Sequence, residues 1–294
     1  MIGVKLMGGL ANQMFQYAAG HRLANAHQAE LKLDATSYFE NQPTENTPRH
    51  YELGCYPIVA SLMSRAELAK VDSSGLARQK RFSFGRAQLL KRFVEQDSAF
   101  QSFQPKFFDL SDNTYLDGYW QNEKYFIDIR DQLLAEFVPK QLSGYTQKLA
   151  REIAEHPSVA IHVRRGDYVS NKHASKFHGL MSADYYQQAL KQITKKAGPV
   201  RCYVFSDDID WCRKNLKLDP DTIYVSGNGP DRGCEDIYLM QRCRHNIIAN
   251  SSFSWWGGWL NDNPDKIVIA PKRWFHNKES NDETEIVPTD WIRI

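Results

Sequence analysis

Short apolar runs alternate with amphipathic stretches along the second half of the chain. Residues 159–163 run Val, Ala, Ile, His, Val and read as a buried strand with His162 near its end. A polar loop over 164–182 follows, and Ser182 can cap a helix carrying Tyr186, Ala189, Leu190 and Ile193 on one face. Lys195 and Lys196 suit the C-terminus of that helix, and Gly198-Pro199 stops it. Further strands are predicted over 202–205, 222–225, 246–249 and 266–270, with helices after Asp208, over 235–245 and over 253–260 between them. This repeated alternation of strand and helix predicts a parallel sheet with helices on both faces. Ligands of such sheets sit beyond the carboxyl ends of the strands. The segments to weigh are therefore Arg164-Arg165-Gly166-Asp167, Ser206-Asp207-Asp208 and Asn250-Ser251-Ser252.

The first half opens the same way, with a strand over 2–7, a tight turn over 8–13, a helix over 14–26 and a second strand over 31–34. The pattern then weakens. Residues 41–50 are polar and hold two prolines, so they read as a loop. Residues 80–92 mix Lys80, Arg81, Arg86, Lys91 and Arg92 with Phe82 and Phe84. A strand over 115–119 and a helix over 123–137 come next, and residues 139–144 read as a hinge, dividing the chain into 1–142 and 143–294.

Composition narrows the class. The 294 residues hold 37 Lys and Arg against 35 Asp and Glu, a net charge of +2, which argues against general nucleic-acid binding. Hydrophobic residues at 42% and charged residues at 24% suit a folded core. No stretch approaches the roughly 18 uninterrupted apolar residues of a membrane span. The start of the chain lacks the pattern of a secretory signal, so the cytoplasm is the expected address, with association at the inner face of a membrane an option. The cysteines at 55, 202, 212, 234 and 243 form no C-x-x-C pair and are expected to be free, mostly buried thiols. The glycosylation acceptor Asn250-Ser251-Ser252 would then go unused.

Three segments carry candidate chemistry. Gly8-Gly9-Leu10-Ala11-Asn12-Gln13 sits between strand and helix, where glycines let backbone N–H groups approach a ligand; a plain tight turn is the alternative. In His162-Val163-Arg164-Arg165-Gly166-Asp167-Tyr168 two arginines leave a buried strand. Their planar, permanently charged forks match phosphate oxygens, and Asp167 can hold one of them in place; a structural ion pair is the alternative. Asn250-Ser251-Ser252-Phe253 can form a second anion site, or Ser251 or Ser252 can simply cap the next helix. Trp255, Trp256 and Trp259 read as core. Two D-x-D matches, at 208–210 and 219–221, are too short to name a metal site, and Asp208 can serve as a cap. His173 and His178 lie in the loop after the arginines.

Taken together, Gly8-Gly9-Leu10-Ala11-Asn12-Gln13-Met14-Phe15-Gln16-Tyr17-Ala18, Gly118-Tyr119-Trp120-Gln121, the His162–Tyr168 motif, Phe205-Ser206-Asp207-Asp208 and Asn250-Ser251-Ser252-Phe253-Ser254-Trp255-Trp256-Gly257 resemble, in order and over nearly the whole chain, the motifs of the bacterial α-1,2-fucosyltransferases. Ala11 stands where that family often has Gly. The resemblance implies an α/β, GT-B type fold: two Rossmann-like lobes with the active site in the cleft between them. It implies inverting, metal-independent transfer of L-fucose from GDP-β-L-fucose to the 2-hydroxyl of a galactose, with no cofactor. The partners implied are GDP-fucose and a galactose-terminated oligosaccharide or lipid-linked glycan. It places GDP-fucose on the C-terminal lobe, with His162 and Arg164 on the nucleotide and Arg164 and Arg165 answering the diphosphate. Asp208 would lie near the guanine, and Asn250, Ser251, Ser252 and Phe253 near the phosphates. The N-terminal lobe would shape the acceptor site with Gly8, Gly9, Gln13 and Trp120, and Asn12 could orient a hydroxyl. Catalysis would then rest on Arg164, Asp167 and Asn12. Rival readings are an α-1,6-fucosyltransferase or an inactive glycan-binding protein.

Overall fold

The computed structural model describes residues 1–39, 49–75, 92–96, 102–166, 179–275 and 285–294. The chain divides into two compact units, Met1–Phe137 and Val138–Ile294. Among the described residues no helix is long and apolar enough to cross a membrane. The five cysteines are free thiols, four of them buried.

The second unit is built on strands β6 (Ser158–Val163), β7 (Arg201–Ser206), β8 (Ile223–Val225), β9 (His245–Ile247), β10 (Val268–Ala270) and β11 (Ile292–Arg293). All pair in parallel, in the order β11-β10-β9-β6-β7-β8. Numbered within the unit, that order is 6-5-4-1-2-3, the doubly wound arrangement whose strand order reverses between its first and fourth strands, here β6 and β9. Every residue of β6 is buried, as a strand covered on both faces must be. The helix predicted after Ser182 spans Ala183–Ala197, and the Ser182 hydroxyl accepts the Tyr185 N–H as its cap. Tyr186, Ala189 and Ile193 recur at helical spacing and pack with Val159, Ile161 and Val204 of β6 and β7. Gly198, at φ +81°, ends it in a conformation that favours glycine.

Three elements differ from the sequence reading. The helix expected over 235–245 is Gly233–Arg242, because His245 is already in β9, where its Nδ1 accepts the Ile267 N–H at 3.1 Å. A helix over Gly144–Glu155, burying Thr146, Leu149 and Ile153, follows directly on the segment read as a hinge. Strand β11 is too short to show as an apolar run.

The first unit holds β1 (Ile2–Lys5), β2 (Leu31–Asp34), β3 (Ser61–Leu62), β4 (Arg92–Glu95) and β5 (Thr114–Asp117), again all parallel, in the order β3-β2-β1-β5-β4. Helix α1 (Leu10–His27) starts four residues earlier than expected, so the segment read as a turn forms its first coil. Helices over Arg65–Gly75 and Arg130–Glu136 complete the unit with short 3-10 turns, two of which, Glu123–Tyr125 and Ile127–Ile129, replace the start of the helix expected over 123–137. The basic-aromatic run over 80–91 lies outside the described residues.

The helix over Ser252–Trp259 shows how tightly the second unit packs. Trp255, Trp256 and Trp259 are buried, as expected, and the Trp255 Nε1–H donates to the Ile286 carbonyl at 2.7 Å. A Cβ at Gly257 would stand 2.8 Å from the Met240 Cβ on the Gly233–Arg242 helix. Gly257→Ala should therefore force the two helices apart and destabilise the protein by about 1–3 kcal/mol. Thermal melting checks this, and an unchanged Tm would show that the helices separate without cost.

Candidate active site

Three neighbouring strands of the second unit end on polar residues. Beyond β6 come Arg164 and Arg165, beyond β7 come Asp207 and Asp208, and beyond β9 comes the loop to Ser251, Ser252 and Phe253. Because β6 pairs with β7 on one side and β9 on the other, the fold brings these segments together at the point where strand order reverses.

Asp207 is the organising carboxylate. Its Oδ2 pairs with Arg164 Nη1 at 2.9 Å, and its Oδ1 accepts the Arg165 backbone N–H at 2.8 Å. A Cβ on Gly166 would stand 2.7 Å from Asp207 Oδ2, so glycine there leaves room for the pair. The sequence reading gave this holding role to Asp167, which lies outside the described residues; within them it belongs to Asp207. Arg164 keeps 26% of its side chain exposed, so one fork of a permanently charged group is braced while part of it still meets solvent.

Arg165 and Asp208 are engaged with each other. Arg165 Nε pairs with Asp208 Oδ2 at 3.1 Å, and the guanidinium lies 4.0 Å from the Trp211 ring centroid. Asp208 Oδ1 accepts the Trp211 N–H, capping the helix over Ile209–Asn215. With one oxygen on the arginine and the other on the cap, Asp208 braces the loop. The D-x-D matches are accounted for locally as well, since Asp219 Oδ1 accepts the Asp221 N–H. Among the described residues no group of three or more His, Cys, Asp or Glu side chains is placed to hold a metal ion.

His162 and Phe253 face each other with ring centroids 5.5 Å apart, joining the end of β6 to the helix that follows β9. His162 is buried, and its Nδ1 meets no hydrogen-bond partner among the described residues. Burial pushes its pKa down to about 4; Asp207 opposes that fall and Arg164 adds to it. Ser251 is the N-cap, its hydroxyl accepting the Phe253 N–H at 3.3 Å. Asn250 is a structural tie, its Nδ2 donating to the Trp274 carbonyl at 3.1 Å. Ser252 and Phe253, both half-buried, form the first turn of the helix, whose N-terminal dipole favours an anion.

The corresponding edge of the first unit is built differently. Gly9 caps α1 without a side chain, and the Leu10 N–H donates to Glu52 Oε1 at 3.1 Å. The N-terminus whose N–H groups were read as open to a ligand is thus met by the protein's own carboxylate. Gln13, fully buried, donates to the Gly8 and His50 carbonyls and accepts the Glu52 N–H, so it ties the loop down instead of reaching a ligand. Trp120 is buried against Phe107 and Tyr125, with centroids at 5.4 and 5.5 Å, which makes it core. Asn12 is half-buried and accepts from Gln121 Nε2 at 2.7 Å. Asp207 and Gln121 lie in segments that the sequence reading named without giving either residue a role, and Glu52 carried no signal.

The fold and this arrangement are those of a glycosyltransferase: parallel α/β units, one of which sets a braced arginine and a helix N-terminus at its strand-order reversal. A family model described as Glycosyl transferase family 11 matches residues 78–294. The chain belongs to that family. It is 32% identical over 308 residues to the alpha-1,2-colitosyltransferase of Escherichia coli, covering 100% of this chain and 99% of the relative. Galactoside 2-alpha-L-fucosyltransferase SEC1 of Bos taurus is 29% identical over 153 residues, 49% of this chain and 41% of that protein. Among solved structures, a mutant of Arabidopsis thaliana FUT1 in complex with GDP superposes with a TM-score of 0.51 at 10% identity, over 91% of this chain and 69% of that one, a likeness of fold.

The His162 shift sets a pH dependence. A folded-state pKa near 4 against an ordinary value of 6.5 means the unfolded chain takes up a proton that the folded one refuses. The stabilising effect is complete above about pH 6.5 and is lost as pH falls toward 4. His162→Phe should remove this loss, gaining on the order of 2 kcal/mol on the parent between pH 7 and pH 5. Denaturant melts at the two pH values check it; parallel losses in both proteins would contradict the assignment.

Proposed function

We propose that the protein transfers L-fucose from GDP-β-L-fucose to the 2-hydroxyl of a galactose residue in a glycan, with inversion and without a metal ion. The observation that carries this reading is the Arg164 guanidinium, held by Asp207 beside the Ser252–Trp259 helix N-terminus where the strand order reverses. The family, a relative that is a galactoside fucosyltransferase and the motif resemblance support the sugar and the linkage.

The chemistry follows from charge. The acceptor oxygen attacks C1 of fucose from the face opposite the leaving GDP, the bond from C1 to the phosphate oxygen breaks, the sugar passes through an oxocarbenium-like state, and the acceptor's proton is released to water. Negative charge grows on the diphosphate as that bond breaks. Arg164 and the dipole of the helix N-terminus favour the state with more charge, so they stabilise the transition state beyond the ground state. A fixed carboxylate on Nη1 keeps the fork oriented before the substrate arrives, which removes a reorganisation cost at the moment of reaction. His162 and Phe253 would flank the nucleotide, and the first unit would receive the acceptor, with Asn12 orienting its hydroxyl.

A second reading concerns the donor sugar. A relative of similar length transfers colitose, the 3-deoxy analogue of fucose. Both sugars present the same ring series to the site, so a donor screen with each nucleotide sugar decides between them.

Three outcomes test the proposal. GDP should raise the melting temperature in the presence of EDTA; binding that appears only with Mn²⁺ or Mg²⁺ would overturn the metal-free reading. Arg164→Lys keeps the charge but loses the fork, so kcat should fall on the order of 10- to 150-fold, with a smaller change in GDP affinity and an intact melting curve. Near-normal turnover, or a protein that simply unfolds, would make Arg164 a structural ion-pair residue. NMR of the product should show an α-1,2 bond to galactose, and an α-1,3 or α-1,6 bond would contradict the linkage.

A further inference from the structure

The turn after β5 is held at a cost that a plain connection does not need. Trp120 has φ +55°, a left-handed backbone that bulky side chains rarely adopt. Gln96 fixes it there, its Oε1 accepting both the Tyr119 and the Trp120 N–H, each at 2.8 Å. The other end of that amide, Gln96 Nε2, and the Trp120 indole Nε1 are buried donors that meet no acceptor among the described residues. Strain and unmatched donors persist only where the surroundings over-determine them, and they gather at functional sites.

What this turn delivers is the Gln121 side chain. Strands β1 and β5 are parallel neighbours, so the segments beyond their carboxyl ends meet, and there Gln121 Nε2 donates to Asn12 Oδ1 at 2.7 Å. Among the described residues that is the one side-chain bond Gln121 makes. Its Oε1, on the other arm of the planar amide, accepts nothing, although the residue is only 7% exposed. Unlike Gln96 Nε2 and Trp120 Nε1, this oxygen is not sealed from solvent. Gln121 thus holds an oriented acceptor without a partner at the carboxyl edge of a parallel sheet, where ligands sit.

The chemistry of the missing partner follows. An amide carbonyl can only accept, so the partner must carry a donor, which excludes a bare phosphate. Residues 118–122 are Gly, Tyr, Trp, Gln and Asn, none of them charged. A neutral, hydroxyl-bearing ligand fits both conditions. We propose that Gln121 is a substrate-binding residue whose Oε1 accepts a hydrogen bond from a hydroxyl of the acceptor sugar. This inference rests on the reading of the first unit as the one that receives the acceptor.

Steady-state kinetics of the full chain test this with galactosides that each lack one hydroxyl. KM reports binding of the 3-, 4- and 6-deoxy acceptors, and an inhibition constant reports the 2-deoxy compound. Gln121→Leu should weaken binding of the complete acceptor on the order of 3- to 10-fold, the scale of one hydrogen bond, with KM for GDP-fucose unchanged. One deoxy compound should bind the parent more weakly by a similar factor. The same compound should bind Gln121→Leu as well as the complete acceptor does, because both partners of the bond are then gone. Gln121→Glu keeps acceptor oxygens and should retain the deoxy penalty that Gln121→Leu abolishes. If every deoxy penalty is the same in parent and variant, Gln121 is purely structural and the proposal is overturned. Unchanged acceptor binding in Gln121→Leu, or a loss confined to GDP-fucose, overturns it as well. Should Gln121→Leu melt early, Gln121→Met carries the cycle. A parent that transfers fucose to no galactoside defeats the proposed function itself, a result distinct from a failed cycle in an active enzyme.

Discussion

The ion pair between Arg164 and Asp207 depends on the parallel pairing of β6 with β7, and the account of the site depends on the pair. An arginine leaving a buried strand would be costly if it were left to find its own partner. Asp207 supplies one from the adjacent strand and spends its second oxygen on the next backbone N–H, so a single carboxylate sets both the guanidinium and the loop carrying it. Arg165 and Asp208 repeat the arrangement one residue on, and the Trp211 ring closes it from the side. The result is a pair of braced arginines, Arg165 closed against Asp208 and Trp211 and Arg164 still partly exposed.

Much of this was legible in the sequence, for a physical reason. Strands of a parallel sheet covered on both faces must be apolar throughout, so residues 159–163 and 202–205 stand out as runs, and polar residues after them mark the ligand edge. Ser182 and Ser251 were readable as caps because capping is local. What was not legible depends on contacts distant in sequence. Asp207 is 42 residues from Arg165 and Glu52 is 42 from Leu10, and neither spacing has a local signature. The choice of Asp167 over Asp207 came from reading the nearer carboxylate as the partner. The early start of α1 was missed for the same reason, since its first N–H is satisfied from afar.

The two units build the ends of similar frames from different residues. In the second, glycine at 166 makes room for a carboxylate, and a helix N-terminus faces the edge with serines. In the first, the helix N-terminus is already met by Glu52, and amide side chains hold the edge: Gln13 and Gln96 bond to backbone groups, and Gln121 bonds to Asn12.

The most direct test of the central claim is a crystal structure with GDP bound. The account predicts a diphosphate oxygen within hydrogen-bonding distance of Arg164, with Asp207 still on the other side of the same guanidinium. A diphosphate bound elsewhere, with Arg164 engaged only by Asp207, would contradict it.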